Sequence, residues 1–314
     1  MKICFVGLGS IGKRHCENLI AFCKLREIPL EIHALRSHRG TTLIPATIQS
    51  HLSRQVAAES ELDEQYDAIF ITNPTNLHYD SLVKLASRSR YFFIEKPVFD
   101  RLDVDLTAIP FKKDAVCYVA APLRYCGVLK TLREMIDPET VYCARAICSS
   151  YLPDWRPNVD YRKVYSASKE AGGGVCIDLI HEWDYLSALF GFPSKVCQMS
   201  GTYSDLEITS EDLAVYIAKY DHLLVELHLD YFGRETRRCV ELFTKERTIY
   251  GDITNGHITF SDSTPPILCE EGRNVMYERE MAYFIDLVLN QADHSTNDIG
   301  HALKVMRIAL GEGV

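Results

Sequence analysis

Residues 2–12 read Lys2-Ile3-Cys4-Phe5-Val6-Gly7-Leu8-Gly9-Ser10-Ile11-Gly12, an apolar run followed by three glycines in a Gly-x-Gly-x-x-Gly pattern. The apolar run predicts a strand, and the segment from Gly12 to Leu25 has the pattern of a helix. The first glycine then permits a tight turn, the second lets a pyrophosphate approach the backbone, and the third lets the helix pack closely. Free amide groups at the helix N-terminus favour phosphate. The pattern predicts a dinucleotide-binding turn formed by Gly7, Gly9, Ser10, Ile11 and Gly12, with a purely structural turn as the alternative.

Short apolar runs alternate with helical patterns through residues 1–120. Such alternation is typical of an α/β domain with a doubly wound parallel sheet. The predicted strands are Lys2–Val6, Leu30–Leu35, Ala68–Thr72, Tyr91–Glu95 and Ala115–Ala120, and the predicted helices are Gly12–Leu25 and Asn76–Ser89.

The second half of the chain is richer in strands, many of which follow one another through tight turns. This pattern predicts an α+β domain with a large, mostly antiparallel open sheet. The predicted strands are Val141–Ser149, Lys195–Tyr203, Leu213–Tyr220, Leu223–Tyr231, Arg238–Thr244 and Thr248–Gly251, and the predicted helices are Gly127–Ile136, Met276–Leu289 and Asp298–Ala309. We therefore expect a dinucleotide-binding domain at residues 1–120 and a substrate-binding and oligomerisation domain at 121–314.

Composition limits the class of protein. The chain has 314 residues, is 47% hydrophobic and carries a formal net charge of -9. A net negative charge without a basic face argues against binding to nucleic acid. No apolar run approaches the roughly 20 residues that span a bilayer, so no membrane association is expected. The N-terminus lacks the features of a signal peptide.

The eleven cysteines favour a reducing compartment. They are odd in number and never spaced Cys-x-x-Cys, so neither a disulfide framework nor a zinc site is indicated. Several, such as Cys117, Cys148 and Cys176, lie in apolar stretches, where a thiol behaves as a small hydrophobe. We expect a cytoplasmic protein, and the scattered histidines give no reason to expect a metal.

The end of the second predicted strand bears on the cofactor. A site for NAD usually has an acidic residue there, which accepts hydrogen bonds from the ribose. Here the strand is followed by Arg36 and Ser37, and a guanidinium beside a hydroxyl suits a 2′-phosphate. The sequence therefore favours NADP(H), with NAD(H) as the alternative and an ordinary solvated Arg36 as the simpler reading.

Four further motifs occur in a fixed order along the chain. They are Thr72-Asn73-Pro74-Thr75-Asn76-Leu77-His78, Glu95-Lys96-Pro97, Gly172-Gly173-Gly174-Val175-Cys176-Ile177-Asp178 and His181-Glu182-Trp183-Asp184. Together with the glycine turn, their order and spacing resemble the glucose-fructose oxidoreductase/inositol dehydrogenase (Gfo/Idh/MocA) family. The segment from Tyr151 to Pro157, with Asp160-Tyr161-Arg162, resembles a subgroup often associated with sugar or nonulosonic acid pathways.

The resemblance implies a Rossmann domain followed by a domain whose open sheet forms a dimer face, in a homodimer or homotetramer. It also implies that the cofactor site includes Thr72, Asn73, Pro74, His78, Glu95 and Lys96. Lys96 would lie beside the nicotinamide, and Asp178 and a histidine would complete the catalytic site.

These residue types suit hydride transfer at a secondary alcohol. Oxidation removes the hydroxyl proton as the hydride leaves, and reduction needs a proton donor. The ammonium group of Lys96 can hold the reacting oxygen. Asp178 and His181 lie three residues apart at the start of a predicted helix, so we expect them to share a face. His181 is the preferred acid/base because its reference pKa is nearest neutrality; Glu182, at the family's usual spacing from Asp178, is the reserve, and a capping aspartate with a core histidine is the simpler reading.

Aromatic and basic residues are concentrated ahead of the glycine triplet. Arginines bind carboxylate or phosphate bidentately, and flat rings stack on sugar faces. The candidate substrate residues are Arg124, Trp155, Arg156, Tyr161, Arg162 and Tyr165. An acidic or nucleotide-linked sugar would use both types of side chain, although a loop that packs on a partner subunit would have the same composition.

The sequence thus predicts an NAD(P)-dependent dehydrogenase or reductase that acts on CH–OH groups of a sugar-like small molecule. Two alternatives remain, because one fold hosts many functions. One is a non-catalytic NAD(P)-binding regulator, and the other is an NAD-dependent glycoside hydrolase.

Overall fold

The computed structural model describes residues 1–36 and 43–312. Its strands are β1 (Lys2–Val6), β2 (Glu31–Leu35), β3 (Leu52–Val56), β4 (Ala68–Ile71), β5 (Tyr91–Ile94), β6 (Val116–Val119), β7 (Val141–Tyr151), β8 (Lys195–Gly201), β9 (Leu213–Lys219), β10 (Leu224–Asp230), β11 (Phe232–Thr244), β12 (Thr248–Asp252), β13 (His257–Phe260) and β14 (Ile267–Leu268). Its helices are α1 (Ser10–Leu25), α2 (Ala46–Gln49), α3 (His78–Leu85), α4 (Gly127–Met135), α5 (Val175–Asp178), α6 (His181–Phe190), α7 (Val275–Leu289) and α8 (Ile299–Ala309).

The first sheet is parallel and has the strand order β3-β2-β1-β4-β5-β6 within the described residues. This is the order of a doubly wound dinucleotide-binding fold, which confirms the predicted fold class of the N-terminal part. The glycine turn follows β1, the strand at which the order reverses. In such sheets ligands bind beyond the carboxyl ends of the strands at this reversal.

An aromatic cluster forms the core of this first sheet. The rings of Phe5, Phe70 and Phe93, on β1, β4 and β5, are stacked with centroids 4.6 and 5.0 Å apart. Phe284 of α7 packs edge-on against Phe70 and Phe93 at 5.2 and 5.3 Å. Because β1, β4 and β5 are buried along almost their whole length, their sequences read as continuous apolar runs.

The second sheet has the order β14-β13-β12-β11-β7-β10-β9-β8, also within the described ranges. Every neighbouring pair is antiparallel except β10 and β7. This confirms the prediction of a mostly antiparallel open sheet. The exposure of β9 alternates: Tyr216 is buried and packs edge-on against Trp183 of α6, whereas Val215 and Ile217 face outwards.

The chain forms two compact units, Met1–Pro122 with Tyr277–Leu303, and Leu123–Met276 with Lys304–Val314. The predicted division near residue 120 lies close to the first of these boundaries. The expectation that one domain runs unbroken from 121 to 314 does not fit the units, because α7 contributes Phe284 to the core of the first sheet. Helix periodicity alone gives no information about which sheet a C-terminal helix covers.

Several predicted elements differ in their bounds. β11 begins at Phe232 rather than Arg238, because its pairing with β7 shifts register between Phe232 and Arg237. The helix predicted from Asn76 is reduced to α3, with short 3₁₀ turns on either side. Strands β3, β13 and β14 were not predicted. Within the described ranges, no helix combines the length and the apolar character that crossing a bilayer requires.

Candidate active site

The glycine turn has the geometry that each glycine was expected to provide. Gly7 has a φ of +89°, and an added Cβ there would lie 2.8 Å from the Cα of Asn73. A Cβ on Gly12 would lie 2.6 Å from the carbonyl oxygen of Gly7 and 2.7 Å from Oγ1 of Thr72. A Cβ on Gly9 would meet no described atom within 4 Å. The turn is therefore closed towards the protein at Gly7 and Gly12 and open at Gly9.

The N-terminus of α1 completes this cradle. Gly9 is the N-cap residue of α1 and makes no side-chain capping bond. The first amide groups of a helix have no partner within the helix and can bind phosphate oxygens. Ser10, Ile11 and Gly12 supply those amides. The residues present fit the pyrophosphate of a dinucleotide.

The motif that begins at Thr72 holds the turn from the neighbouring strand. Oγ1 of Thr72 donates to the carbonyl oxygen of Gly7 at 2.6 Å, and Nδ2 of Asn73 donates to Oγ of Ser81 at 2.9 Å. Pro74, the next residue, is exposed. Thr72 and Asn73 thus fix the shape of the turn from the carboxyl end of β4.

His78 links two loops of the first unit. It is buried, with Nδ1 3.1 Å from the carbonyl oxygen of Val98 and Nε2 3.0 Å from that of Asn73. Burial lowers the pKa of His78, although both contacts oppose the shift. Its predicted contact with the cofactor stays a prediction, since the structure gives both ring nitrogens backbone neighbours.

Arg36 lies beside the glycine turn. It follows Leu35, which pairs with Val6, and the carbonyl oxygen of Leu35 accepts from the amide of Gly7 at 2.9 Å. Nη1 of Arg36 is 3.4 Å from Oε1 of Gln55. Arg36 therefore lies at the carboxyl end of β2, the end of the strand near which an adenosine ribose binds in such folds. Ser37, predicted with it, lies outside the described residues.

Contacts within the first unit hold the carboxylate of Glu95 in place. Its Oε1 is 2.5 Å from Nε2 of His15 on α1, and its Oε2 accepts from the backbone amide of Lys96 at 3.1 Å. Burial favours a higher pKa for Glu95, but the hydrogen bond from His15 and the charges of His15 and Lys96 hold the pKa below its usual value. The carboxylate orders the backbone at Lys96. His15 was missed from the sequence because no local pattern marks it.

Lys96 itself is half-buried, and its peptide bond with Pro97 is cis. It directly follows the carboxyl end of β5, as the sequence predicted. Glu95 and Lys96 are therefore adjacent in the chain but differ in surroundings: the carboxylate is buried, whereas the lysine is partly accessible.

In the second unit, the glycine triplet leads into Asp178. Gly174 has a φ of 136° and caps α5, which ends at Asp178, and α6 begins at His181. The expectation that Asp178 and His181 share the face of one helix is therefore wrong. Two residues outside both helices separate α5 from α6, so Asp178 and His181 do not lie on one helical surface.

Asp178 has a buried partner that the sequence did not reveal. Oδ2 of Asp178 accepts from the hydroxyl of Tyr231 at 2.7 Å. Tyr231 also packs edge-on against Trp155, with ring centroids 5.2 Å apart. One side chain thus contacts a predicted catalytic residue and a predicted substrate residue.

Glu182 and His181 have different environments. Glu182 is fully buried, and its Oε1 lies 2.7 Å from Nε of Arg238. Burial raises the pKa of Glu182, and the charge of Arg238 opposes that rise. His181 is partly exposed at the start of α6. Only His181 of the two is accessible from solvent.

Arg124 forms a bidentate ion pair with Asp184. Its Nη2 and Nε lie 2.7 and 2.8 Å from the two carboxylate oxygens, and the two side chains are 6% and 10% exposed. Such buried pairs fix the packing of the segments that carry them. The structure gives Arg124 this internal contact, and its contact with substrate stays a prediction.

The remaining candidate substrate residues fall into two groups. Trp155, Arg156 and Tyr161 line one small pocket of the second unit. Arg162 instead pairs with Asp160 and Glu207 at 2.8 and 3.0 Å.

Tyr165 contacts the glycine triplet. Its hydroxyl donates to the carbonyl oxygen of Gly172 at 2.5 Å. In the part of the chain that the structure describes, Arg156 is exposed and has no carboxylate partner. Among the predicted arginines it is thus the one best able to bind an external anion.

One cluster of side chains in the first unit has the composition of a metal site. Glu31, His33 and Asp63 each offer a ligand atom within 4.8 Å of the others. The ammonium group of Lys2 contacts Asp63 and lies 3.7 Å from Oε1 of Glu31. Because a cation of the protein already neutralises these carboxylates, we assign no metal there.

The strand order and the glycine turn define a dinucleotide-binding Rossmann protein. Residues 1–107 match the family model described as an oxidoreductase family with an NAD-binding Rossmann fold, Gfo/Idh/MocA. Over residues 1–107 the resemblance to the Gfo/Idh/MocA family is therefore confirmed.

Two curated relatives are inositol dehydrogenases. The chain is 26% identical over 196 residues to myo-inositol 2-dehydrogenase of Thermotoga maritima, an alignment covering 61% of this chain and 55% of the relative. It is 21% identical over 212 residues to scyllo-inositol 2-dehydrogenase (NAD⁺) of Bacillus subtilis, covering 64% of this chain and 56% of the relative. The aligned part spans only about half of these relatives.

Solved structures show the same fold over nearly the whole chain. A levoglucosan dehydrogenase in complex with NADH and levoglucosan has a TM-score of 0.81 at 15% identity, covering 99% of this chain and 95% of that one. UDP-N-acetylglucosamine 3-dehydrogenase from Acidithiobacillus ferrooxidans has a TM-score of 0.75 at 16% identity, with the same coverages. At these identities the likeness establishes the fold of both units and no activity.

Proposed function

We propose that the chain is a nicotinamide-dependent dehydrogenase or reductase that acts on a secondary alcohol or ketone of a sugar-like substrate. The observation that carries the proposal is the glycine turn, in which Gly7 and Gly12 are sterically required and Gly9 is open. The names of the relatives, which include dehydrogenases of inositols, levoglucosan and a nucleotide-linked sugar, support the substrate class.

Three side chains carry the chemistry in this proposal. When bound, the nicotinamide supplies the hydride acceptor or donor. Lys96 holds the reacting oxygen with its ammonium group, and His181 takes or gives the hydroxyl proton. Asp178 orients the imidazole or a substrate hydroxyl, and Tyr231 holds its carboxylate. General acid–base catalysis of this kind contributes about 10²–10⁴-fold to a rate.

His181 rather than Glu182 is assigned the proton transfer. A group that exchanges protons with a substrate must come within hydrogen-bond reach of it. The carboxylate of Glu182 is fully buried against Arg238, whereas His181 is partly exposed. This supports the histidine as the acid/base.

The cofactor preference proposed here is NADP(H), with NAD(H) as the alternative. Arg36 supports it, because its guanidinium follows β2 beside the glycine turn. A carboxylate at this point would instead accept from the ribose of NAD. The names of the relatives mention NAD⁺ and NADH, so Arg36 is the residue whose replacement decides the question.

An acidic or nucleotide-linked sugar is the proposed substrate class. Trp155 and Arg156 are adjacent and exposed, and Arg156 has no carboxylate partner among the described residues. An aromatic ring for a sugar face beside a guanidinium for an anion suits such a molecule.

A homodimer or homotetramer through the open sheet completes the proposal. The outward side of β8–β10 exposes Met199, Val215, Ile217 and Leu224, which are 75%, 36%, 43% and 38% exposed. Contiguous apolar side chains on a sheet face are typical of an interface between subunits.

The experiment that tests the function is a fluorescence titration with NADPH and NADH, followed by a panel of sugars, inositols and uronic or nonulosonic acids. We expect binding, net nicotinamide turnover with at least one sugar, and loss of turnover in Lys96→Ala. Arg36→Ala should lose affinity for NADPH about tenfold, as expected for a hydrogen bond to a charged group, with Arg54→Ala as the control. Sugar release without net turnover would indicate a hydrolase, and binding without either would indicate a regulator. Binding of neither cofactor would overturn the proposal.

A further inference from the structure

Tyr231 lies in the turn between β10 and β11, and its side chain is fully buried. Its backbone is fixed on both sides: its amide donates to the carbonyl oxygen of Asp212 at 3.0 Å, and its own carbonyl accepts from Leu152 at 2.8 Å. The ring therefore has a defined position in the second unit.

The hydroxyl of Tyr231 acts as a donor to a carboxylate. It lies 2.7 Å from Oδ2 of Asp178, at the end of α5. Burial, reinforced by the charge of Asp178, raises the pKa of Tyr231, so the phenol keeps its proton. A hydrogen bond of this kind fixes the orientation of the carboxylate that accepts it.

The ring of Tyr231 supports the exposed Trp155. The two rings meet edge to face with centroids 5.2 Å apart and planes at 87°. Trp155 is 38% exposed, and its Nε1 donates to Oγ of Ser150 at 2.9 Å. Its position is thus set by a hydrogen bond on one side and by Tyr231 on the other.

We propose that Tyr231 is a positioning residue that holds the carboxylate of Asp178 and the ring of Trp155 together, so that a sugar stacked on the tryptophan is aligned with the acid/base group. The proposal rests on the dehydrogenase function above. It adds a residue outside the sequence motifs, whose effect on catalysis is exerted through Asp178 and Trp155.

The chain offers a closely matched control in Tyr216. Tyr216 is also fully buried, meets Trp183 edge to face at 5.3 Å and 86°, and donates a 2.7 Å hydrogen bond. Its acceptor is the carbonyl oxygen of Ala309 rather than a carboxylate. Tyr231→Phe and Tyr216→Phe therefore remove the same group from similar surroundings, and only the first removes it from Asp178.

The test compares both variants with the wild type in steady-state kinetics, using a sugar that the panel identifies. In Tyr231→Phe we expect kcat to fall roughly tenfold with little change in KM. The kcat falls because the carboxylate of Asp178 loses the donor that holds it, and KM stays because phenylalanine keeps the ring that packs against Trp155. Tyr216→Phe should keep the wild-type kcat and KM. Tyr231→Phe/Asp178→Asn should match Asp178→Asn alone, because the two residues act as one unit.

A kcat that stays at the wild-type value in Tyr231→Phe, or that falls equally in both tyrosine variants, would overturn the proposal. Failure of the dehydrogenase function is distinguishable, since it appears as absent cofactor binding or absent turnover in the wild type. In that event the wild type, Tyr231→Phe, Asp178→Asn and the double variant are unfolded in urea at neutral pH. Non-additive destabilisation by Tyr231→Phe and Asp178→Asn supports the pairing, and additive destabilisation rejects it.

Discussion

His15 and Glu95 form a buried pair that connects the helix of the glycine turn to the residue before Lys96. Nε2 of His15 lies 2.5 Å from Oε1 of Glu95, and the histidine ring packs against Phe93 with centroids 4.6 Å apart. Oε2 of the same carboxylate accepts from the amide of Lys96. The cradle for the cofactor and the backbone of the candidate catalytic lysine are thus held by one contact.

Replacing His15 by alanine should destabilise the chain by about 3 kcal/mol, because a buried carboxylate loses its partner. Urea unfolding of His15→Ala measures the loss. His15→Gln, which keeps a donor, is the matched control and should lose less. An alanine variant as stable as the wild type would show that the pair contributes nothing to folding.

The stability of the chain should also depend on pH through Glu95. Its pKa in the folded chain is below the usual 4.5, since the hydrogen bond from His15 and the charges of His15 and Lys96 outweigh the effect of burial. A lowered folded pKa stabilises the fold above about pH 4.5, and this contribution is lost as the pH falls through the folded pKa. Urea unfolding from neutral to acidic pH should therefore show a shallower loss in Glu95→Gln than in the wild type. An equal loss of unfolding free energy in the two proteins would contradict a lowered pKa of Glu95 in the folded chain.

The glycine turn gives a paired prediction that separates folding from binding. In Gly12→Ala the new Cβ would lie 2.6 Å from the carbonyl oxygen of Gly7, so we expect a loss of about 1–3 kcal/mol in unfolding free energy. In Gly9→Ala the Cβ meets no described atom within 4 Å, so stability should change by less than about 0.5 kcal/mol.

Gly9→Ala should nevertheless lose affinity for NADH and NADPH, because its methyl group occupies the space through which the pyrophosphate approaches. Urea unfolding and nicotinamide fluorescence measure the two effects on the same protein. A Gly9→Ala chain that binds both cofactors like the wild type would remove this turn from the proposed site.

The fold was predictable where local chemistry and tertiary structure agree. The backbone at Gly7 has a positive φ, and Gly12 lies in close contact with neighbouring atoms. Both conditions favour glycine, so both positions can be recognised from the sequence. β3 was missed because only its last residue, Val56, is buried, so it contains no apolar run. The start of β11 was missed because the register shift leaves residues 233–236 outside regular pairing with β7.

The candidate site was predictable only for residues within motifs. His15 and Glu95 are 80 residues apart, and Asp178 and Tyr231 are 53 apart. No periodicity or spacing indicates such pairs, because they arise when strands and helices pack. The interruption between α5 and α6 was likewise not predicted, since Asp178 and His181 were expected to lie in one helix.

Arg156 and Arg162 should differ in their effect on an acidic substrate. Arg156 is exposed beside Trp155, whereas Arg162 is already paired with Asp160 and Glu207. Arg156→Ala should raise KM for an acidic sugar about tenfold, as expected when a hydrogen bond to a charged group is lost, and leave KM for a neutral sugar unchanged. Arg162→Ala is the control and should change neither. Equal effects of Arg156→Ala on acidic and neutral sugars would exclude recognition of the charge.

His181 and Glu182 are neighbours in sequence, but their replacement should affect different properties. His181→Asn should lower kcat by about 10²-fold or more, because the proton-transfer group is removed, with little loss of stability since the side chain is partly exposed. Glu182→Gln should instead destabilise the fold by about 2 kcal/mol, because the partly exposed guanidinium of Arg238 loses the charge of its fully buried partner. Turnover of the folded fraction should persist in Glu182→Gln. The measurements are kcat and urea unfolding for both variants, and a Glu182→Gln protein that is stable but inactive would transfer the acid/base role from His181 to Glu182.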